Sequence, residues 1–199
     1  HRDWVLRYPN RDEAYFRNQL VLDLANPEVQ DFVFGVVDRL MTENPGIAYF
    51  KWDCNSPIIN AHSAYLAEKQ SHLWIDYVRG LYSVLERIGA KYPDLPMMLC
   101  SGGGGRTDYG ALRYFTEFWP SDNTDPLERI FIQWGYSHFF PLKSMCAHVT
   151  NWNRSTSIKF RTDVAMMCKL GFDIIVKDLP DDELQFCRQA LRNYNRLKH

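Results

Sequence analysis

Apolar residues recur along the chain with two periods, one typical of helices and one typical of strands. Between residues 29 and 40 they are spaced three and four apart, which predicts a helix with one apolar face. Asn26 and Pro27 start this helix as a cap and a first-turn proline, and Pro45 with Gly46 ends it. The next apolar run, residues 47–52, is short and predicts a strand buried in a parallel sheet.

Short apolar runs and longer amphipathic stretches continue to alternate to the end of the chain. The predicted strands cover residues 20–24, 47–52, 96–100, 115–119, 144–150 and 172–176. The predicted helices cover residues 26–42, 63–91, 109–113, 127–138, 158–169 and 181–198. Serial strand–helix units of this kind are typical of either a (β/α)8 barrel or a doubly wound sheet.

Polar residues directly follow three of the predicted strands. Lys51 and Asp53 end the 47–52 strand, the glycines 102–105 follow the 96–100 strand, and Asp122 follows the 115–119 strand. A barrel builds its active site from several strand ends, whereas a doubly wound sheet uses one crevice. We therefore predict an α/β fold, a partial (β/α)8 TIM barrel of about six βα units that lacks the first two strands, as a single domain over residues 1–199.

Composition and charge restrict the class of partner. The 199 residues are 46% hydrophobic and 15% aromatic, which is enough for a sizeable core. Lys and Arg number 23 against 24 Asp and Glu, without a basic run, so neither nucleic acid nor an acidic membrane surface is expected as a partner. No stretch reaches the roughly 18 apolar residues that span a bilayer. A neutral small molecule is the expected partner.

The cysteines carry no sign of a metal site or of a disulfide framework. All five are widely spaced, and none forms a Cys-x-x-Cys pair. No metal and no cofactor is therefore expected. This usage favours a reducing compartment, so a cytoplasmic location is expected, with a periplasmic or secreted parent protein as the alternative.

Asp53 and Asp122 are carboxylates at the ends of two different strands, and a barrel would place both on one rim. Glycoside hydrolysis needs two carboxylates that flank one bond, one to attack the anomeric carbon and one to protonate the leaving oxygen. Trp4, Trp52 and Trp119 could supply the aromatic surfaces on which sugar rings rest. The alternative is that both aspartates merely cap helices.

Lys51 lies two residues before Asp53, so both side chains should point to the same side of the strand. A cation there can bind sugar hydroxyls and hold the neighbouring carboxylate ionised, as a nucleophile requires. Asp122 must instead start protonated in order to act as an acid. Asp125 is the rival for that second role.

The glycine run 102–105 is followed by Arg106 and Thr107, whereas a phosphate-binding P-loop has Lys and then Ser or Thr after its last glycine. A phosphate site is therefore not predicted. Because the run directly follows a buried strand, we expect it to let the backbone approach a ligand closely.

Four segments of the chain together resemble one family. RNQLVLDL begins at Arg17, YFKWDCN at Tyr49, CSGGGGRTD at Cys100 and WPSDNTD at Trp119. In residues, order and spacing they are similar to the retaining α-galactosidases of glycoside hydrolase family 36. The resemblance implies a (β/α)8 catalytic barrel that releases terminal α-linked galactose from oligosaccharides by double displacement.

The resemblance also implies roles for individual residues. Asp53 would be the nucleophile and Asp122 the acid/base, with Asp125 ranked second because the family's acid immediately follows a serine. The residues that would line the galactose subsite are Arg17, Lys51, Trp52, Asn55, Cys100 and Gly102, with Trp4 near the site.

Two features of the family have no counterpart in this sequence. The family has an adjacent acidic pair on an early barrel strand that binds galactose hydroxyls, and we expect no such strand before Arg17. The β domains that flank the barrel in the family are likewise expected to be absent. We therefore expect a fragment of a longer enzyme, itself a homo-oligomer, with little activity alone. The alternatives are an α-N-acetylgalactosaminidase or galactosyl transferase on the same fold, or a noncatalytic sugar-binding remnant.

Overall fold

Residues 1–152 and 155–197 are described by the structure, a computed structural model. The chain divides into two units. The first consists of His1–Met97 with Asp108–Phe115, and the second of Met98–Thr107 with Thr116–His199. Helices and strands alternate along the described chain, so the predicted α/β class is confirmed.

Two helices form the frame of the first unit. Helix α1 spans Pro27–Glu43 and helix α2 spans Leu73–Lys91. The side chain of Asn26 accepts a hydrogen bond from the Glu28 N–H at 3.0 Å, so the predicted start of α1 is confirmed. The helices pack against each other over a core whose buried members are Leu6, Leu24, Ala25, Val29, Leu66, Leu73 and Tyr77.

Helix α2 begins at Leu73 and not at residue 63, where it was predicted to start. The Gln70 amide explains the delay, since its Nε2 donates to the Ser63 carbonyl at 2.7 Å and its Oε1 accepts from the Ser63 N–H at 3.0 Å. Ala67, between them, has a φ of 48°. Side-chain hydrogen bonds to the backbone compete with those of a helix, so helical structure starts only at the 3₁₀ turn Gln70–His72.

The first unit holds one strand where two were predicted. Strand β1 spans Phe50–Asp53, slightly later than the predicted 47–52, and the Phe50 N–H donates to the Pro96 carbonyl at 3.1 Å. The predicted strand 20–24 is wrong, because Leu22 forms only an isolated antiparallel bridge with Val5. Asp23 is fully buried and accepts from the Ala25 N–H at 3.1 Å, which turns the chain into α1.

The second unit is built on parallel strands, of which only the first residue, Met97, belongs to the first unit. In chain order they are β2 (Met97–Cys100), β3 (Glu117–Phe118), β4 (Cys146–Thr150) and β5 (Lys169–Asp173). Strand β2 pairs with β3, a parallel bridge joins Phe118 to Met145, and β4 pairs with β5. Three helices complete the unit: α3 (Pro126–Ser137), α4 (Ile158–Ala165) and α5 (Asp181–Leu197). Because the strands are parallel, the segments after β2 and β3 leave the same edge of the sheet.

The last strand lies earlier than the predicted 172–176, and the helix before it is shorter than the predicted 158–169. In the pairing of β5 with β4, Gly171 lies opposite His148. A Cβ on Gly171 would lie 2.4 Å from the His148 ring, so this position accommodates the imidazole only as glycine. The position of the strand depends on its neighbour, which the local pattern does not contain.

The described residues contain five strands, whereas six strand–helix units were predicted. The partial barrel that lacks its first two strands therefore stays a prediction. None of the helices in the described ranges is both long and apolar enough to cross a membrane. In the same ranges, no three His, Cys, Asp or Glu side chains form a group that could hold a metal ion.

Candidate active site

The predicted site residues divide between the two units. The first unit contains Trp4, Arg17, Lys51, Trp52, Asp53 and Asn55. The second unit contains Cys100, Gly102 and Asp122. Each group takes its geometry from contacts within its own unit.

Strand β1 presents Lys51 and Asp53 on one side and the aromatic rings of Phe50 and Trp52 on the other. The first pair is exposed and the second is half-buried, as the period of two predicted. Residues two apart in a strand are separated by roughly 7 Å, so the ammonium group of Lys51 can reach the surroundings of the Asp53 carboxylate. This strand end combines an accessible carboxylate with a cation.

Trp52 is anchored from within the first unit. Its ring packs edge-on against that of Phe115, with centroids 6.5 Å apart and planes at 65°. Phe115 is buried, so this contact fixes one edge of the indole. Asn55, two residues after the end of β1, is half-buried. Sugar binding by Trp52 and Asn55 stays a prediction.

Arg17 lies at the tip of a two-residue hairpin turn. Phe16 and Gln19 exchange backbone hydrogen bonds of 3.0 and 3.4 Å across the turn. Arg17 and Asn18 have φ values of 52° and 57°, which defines a type I′ turn. Asn tolerates this conformation, whereas Arg takes it at a cost of roughly 1–2 kcal/mol. A strained turn that displays an exposed arginine supports the predicted ligand-binding role of Arg17.

Trp4 lies half-buried between two rings. His1 stacks on it at a centroid distance of 4.0 Å, and Phe32 lies tilted at 5.3 Å. The Trp4 carbonyl accepts from the Asp23 N–H at 2.8 Å. Among the residues that the structure describes, none accepts a hydrogen bond from its buried indole Nε1–H. The place of Trp4 near a ligand stays a prediction.

Cys100 ends β2 inside an apolar cluster with Met98, Trp119 and Cys146. It is 2% exposed, and a thiol packed in this way acts as a small hydrophobic side chain. Burial raises the pKa of the Cys146 thiol well above its usual range and raises the pKa of Cys168 to about 11. These two thiols therefore stay protonated at neutral pH. The contact of Cys100 with galactose stays a prediction.

The glycine run folds back against the segment that follows β3. Gly102 and Gly103 have φ values of 57° and 89°, and the Gly104 N–H donates to the Pro120 carbonyl at 3.0 Å. A Cβ on Gly103 would lie 3.0 Å from the Pro120 carbonyl oxygen, and a Cβ on Gly104 would lie 2.1 Å from the Tyr136 hydroxyl. These two glycines are required by contacts with the protein itself, and the close approach of the run to a ligand stays a prediction. A Cβ at Gly102 would meet no atom within 4 Å, so substrate binding at Gly102 stays a prediction.

Asp122 follows β3 and is exposed. The indole Nε1–H of Trp119 donates to its Oδ1 at 2.9 Å. Trp119 itself is only 7% exposed. One oxygen of an accessible carboxyl is therefore tied to a buried ring, which allows Asp122 to meet a ligand in a defined orientation.

Arg129, on α3, is a residue that the sequence analysis missed. It is 3% exposed, and its guanidinium carbon lies 4.6 Å from the centre of the Trp119 ring. It donates to three backbone carbonyls, those of Ser121 at 2.9 Å, Asn123 at 2.8 Å and Cys146 at 3.2 Å. Burial lowers the pKa of Arg129, but an arginine remains protonated in proteins. Arg129 thus holds the backbone on both sides of Asp122.

Helix spacing places Arg129 on one face of α3, but it does not say whether that face is the buried one. The buried residues of α3 are Pro126, Arg129 and Gln133, which share one face of the helix. Leu127, Phe131 and Trp134 are exposed instead. A search for apolar residues would have selected the opposite face.

Asp125, the rival for the acid/base role, caps α3. Its Oδ1 accepts from the N–H groups of Leu127 at 2.9 Å and Glu128 at 3.4 Å. An aspartate at this position stabilises the first turn of a helix by roughly 1 kcal/mol. The capping role accounts for Asp125 and favours Asp122 as the carboxyl that is available for chemistry.

The sequence matches the melibiase family over residues 1–199. It is 37% identical over 200 residues to the alpha-galactosidase AgaA of Geobacillus stearothermophilus, an alignment that covers 98% of this chain and 27% of AgaA. It is 40% identical over 189 residues to alpha-galactosidase 2 of Hypocrea jecorina, with 92% of this chain and 24% of the relative covered. The chain thus spans about a quarter of the length of these relatives.

Solved structures agree with the sequence relatives. The crystal structure of the GH36 alpha-galactosidase AgaA superposes with a TM-score of 0.93 at 36% identity, covering 99% of this chain and 28% of AgaA. The galactosidase domain of AgaSK superposes with a TM-score of 0.90 at 37% identity, covering 98% of this chain and 27% of that chain. The chain therefore belongs to the melibiase family, within glycoside hydrolase family 36.

Proposed function

We propose that this chain is the catalytic part of a retaining α-galactosidase, built as a partial (β/α)8 barrel. The observation that carries the proposal is the family match over residues 1–199. Crystal structures of AgaA variants were solved in complex with raffinose and with stachyose. We infer that the substrates here are likewise oligosaccharides, with a terminal α-linked galactose.

In the first step, the Asp53 carboxylate attacks the anomeric carbon of galactose. The bond between that carbon and the leaving oxygen breaks, and Asp122 donates its proton to the leaving oxygen. The products of this step are the free leaving-group alcohol and a galactosyl ester on Asp53. The exposure of Asp53 at the end of β1, with Lys51 on the same side, supports its assignment as the nucleophile.

In the second step, the Asp122 carboxylate removes a proton from water, and the resulting oxygen nucleophile attacks the same carbon. The ester bond to Asp53 breaks, which regenerates the carboxylate and releases galactose. Two inversions at one carbon give net retention. The mechanism requires the two carboxyl groups to stand about 5–5.5 Å apart in the intact enzyme.

The assignment is tested by steady-state kinetics on the full-length enzyme that contains this chain. Asp53→Ala should abolish hydrolysis of a nitrophenyl α-galactoside, because alanine has no carboxylate to form the ester. Asp122→Ala should reduce the rate on raffinose by roughly 10²–10⁴-fold, the usual contribution of an acid/base group. Asp125→Asn is the matched control, since an asparagine can still cap α3.

The product and the substrate class are measured on the wild-type enzyme. Proton NMR during the first minutes should show α-galactose before mutarotation, and an initial β-anomer would rule out retention. An α-N-acetylgalactosaminide should be a poor substrate, and a preference for it would assign the enzyme to that activity. Wild-type rates in Asp53→Ala would disprove the nucleophile assignment. We expect little hydrolysis by the 199-residue chain alone, because it spans about a quarter of the length of the relatives that it matches.

A further inference from the structure

We propose that Trp119 is a positioning residue that orients the Asp122 carboxyl group for proton transfer. The inference rests on the acid/base role proposed above for Asp122. Its basis is the hydrogen bond from the indole Nε1–H to Asp122 Oδ1, 2.9 Å long. An exposed aspartate that acts as an acid must hold one rotamer while it donates its proton, and this bond selects that rotamer.

The chemistry of the indole decides which oxygen carries the proton. A tryptophan N–H is a donor only, so Oδ1 must act as the acceptor in this bond. The carbonyl oxygen of a carboxylic acid is a better acceptor than its hydroxyl oxygen, so this bond favours Oδ1 as the carbonyl and Oδ2 as the oxygen that carries the acidic proton. Oδ2 delivers the proton to the leaving oxygen in the first step and takes a proton from water in the second.

Trp119 can serve as a rigid reference because its ring is itself held by neighbouring side chains. The Arg129 guanidinium carbon lies 4.6 Å from its ring centre, and the His148 ring centre lies at 4.8 Å. The backbone N–H of Trp119 donates to the Leu99 carbonyl at 2.9 Å, which joins the Trp119 backbone to β2. The indole is buried among Met98, Cys100 and Cys146. An apolar, close-packed setting of this kind leaves the ring little freedom to turn.

The backbone around Asp122 is restrained as well. Arg129 donates to the carbonyls of Ser121 and Asn123, the two neighbours of Asp122. The Gly104 N–H holds the carbonyl of Pro120. With the backbone fixed on both sides, the rotation of the side chain is the remaining freedom, and the Trp119 bond restricts it. This assembly places the donor oxygen with the precision that proton transfer requires.

The test compares leaving groups in the full-length enzyme. Cleavage of a dinitrophenyl α-galactoside needs little help from an acid, because the leaving phenolate is already stable. Cleavage of raffinose, which releases an alcohol, depends on the proton from Asp122. The ratio of kcat/KM for the two substrates therefore reports acid assistance in the first step, whereas a general loss of packing lowers both values together.

Trp119→Phe keeps an aromatic ring in contact with Arg129 and His148 and removes the indole N–H. We expect kcat/KM for raffinose to fall roughly 10–100-fold while the value for the dinitrophenyl substrate changes less than about threefold. Trp134→Phe is the matched control on the exposed side of α3 and should leave both values unchanged. If Trp119→Phe folds poorly, benzothienylalanine at position 119 replaces it, since this analogue keeps the shape of tryptophan without its N–H.

Three outcomes separate the possibilities. An equal fall on both substrates, or no fall on either, would overturn the positioning role of Trp119. The selective loss on raffinose supports it. Asp122→Ala, measured in parallel, should show the same selectivity to a larger extent. If Asp122→Ala has no selectivity, the acid assignment fails and with it the proposed function, whatever Trp119→Phe does.

Discussion

Gly80 lies on the side of α2 that faces the start of α1, where the structure leaves no room for a methyl group. A Cβ at this position would lie 1.8 Å from the Leu24 carbonyl oxygen and 2.9 Å from Gln30 Nε2. Ordinary contact needs about 3.4 Å or more, so Gly80→Ala forces α2 and Leu24 apart by roughly 1.5 Å. The same carbonyl accepts the Gln30 amide hydrogen bond at 2.9 Å, which that movement breaks.

The expected change in the free energy of unfolding follows from three contributions. Overpacking against backbone costs about 1–3 kcal/mol. Loss of the Gln30 hydrogen bond costs about 1 kcal/mol. The higher helix propensity of alanine returns about 1 kcal/mol. Gly80→Ala should therefore destabilise the protein by about 2 kcal/mol.

Gly89 on the same helix provides the matched control. A Cβ there would meet no atom within 4 Å, so Gly89→Ala gains the propensity alone and should stabilise by about 1 kcal/mol. At about 2–4 °C per kcal/mol, thermal unfolding by circular dichroism should show Tm lowered by about 4–8 °C for Gly80→Ala and raised by about 2–4 °C for Gly89→Ala. Amide exchange over residues 73–91 reports the same difference locally. Shifts of equal sign in the two variants would refute the packing described for α2.

Two further substitutions test the second unit and a buried carboxylate. In the full-length enzyme, Gly104→Ala should lower both Tm and the hydrolytic rate, because its Cβ would lie 2.1 Å from the Tyr136 hydroxyl. Gly135→Ala is the control: its Cβ meets no atom within 4 Å, so it should lower neither value. If Gly104→Ala changed neither value, the tight contact would be contradicted. Burial raises the pKa of Asp23 above its ordinary value of 3.8, so the folded protein binds this proton more tightly than the unfolded protein does. The stability that this group contributes is complete below pH 3.8 and is lost as the pH rises through the folded pKa. The Tm of Asp23→Asn minus that of the wild type should therefore increase from about pH 4 to pH 7, and a constant or falling difference would contradict the burial cost.

Features that depend on neighbours in the chain could be predicted from sequence. The start of α1 follows from Asn26 and Pro27, because a cap and a first-turn proline act within one turn. The shared side of Lys51 and Asp53 follows from the period of a strand. Each of these depends on interactions over a few residues, which a local pattern contains in full.

Features that depend on one specific side-chain contact could not be predicted in the same way. Helix α2 starts late because Gln70 bonds back to the Ser63 backbone. Strand β5 begins before the predicted residue 172, because Gly171 lies opposite His148 in the sheet and only glycine leaves room there for the His148 ring. In both cases the contact involves side-chain geometry that an apolar pattern does not contain.

The sequence by itself determined the family, the two strand ends that carry Asp53 and Asp122, and the α/β alternation. Only the tertiary structure decided that α3 turns its polar residues Arg129 and Gln133 inward and exposes Phe131 and Trp134. The reason is that backbone carbonyls face that helix and need donors: Arg129 donates to those of Ser121 and Asn123, and Gln133 donates to that of Val164. A hydrophobic pattern predicts which apolar groups are buried. It does not predict that Arg129 is buried, because the carbonyls to which Arg129 donates are brought together only by folding.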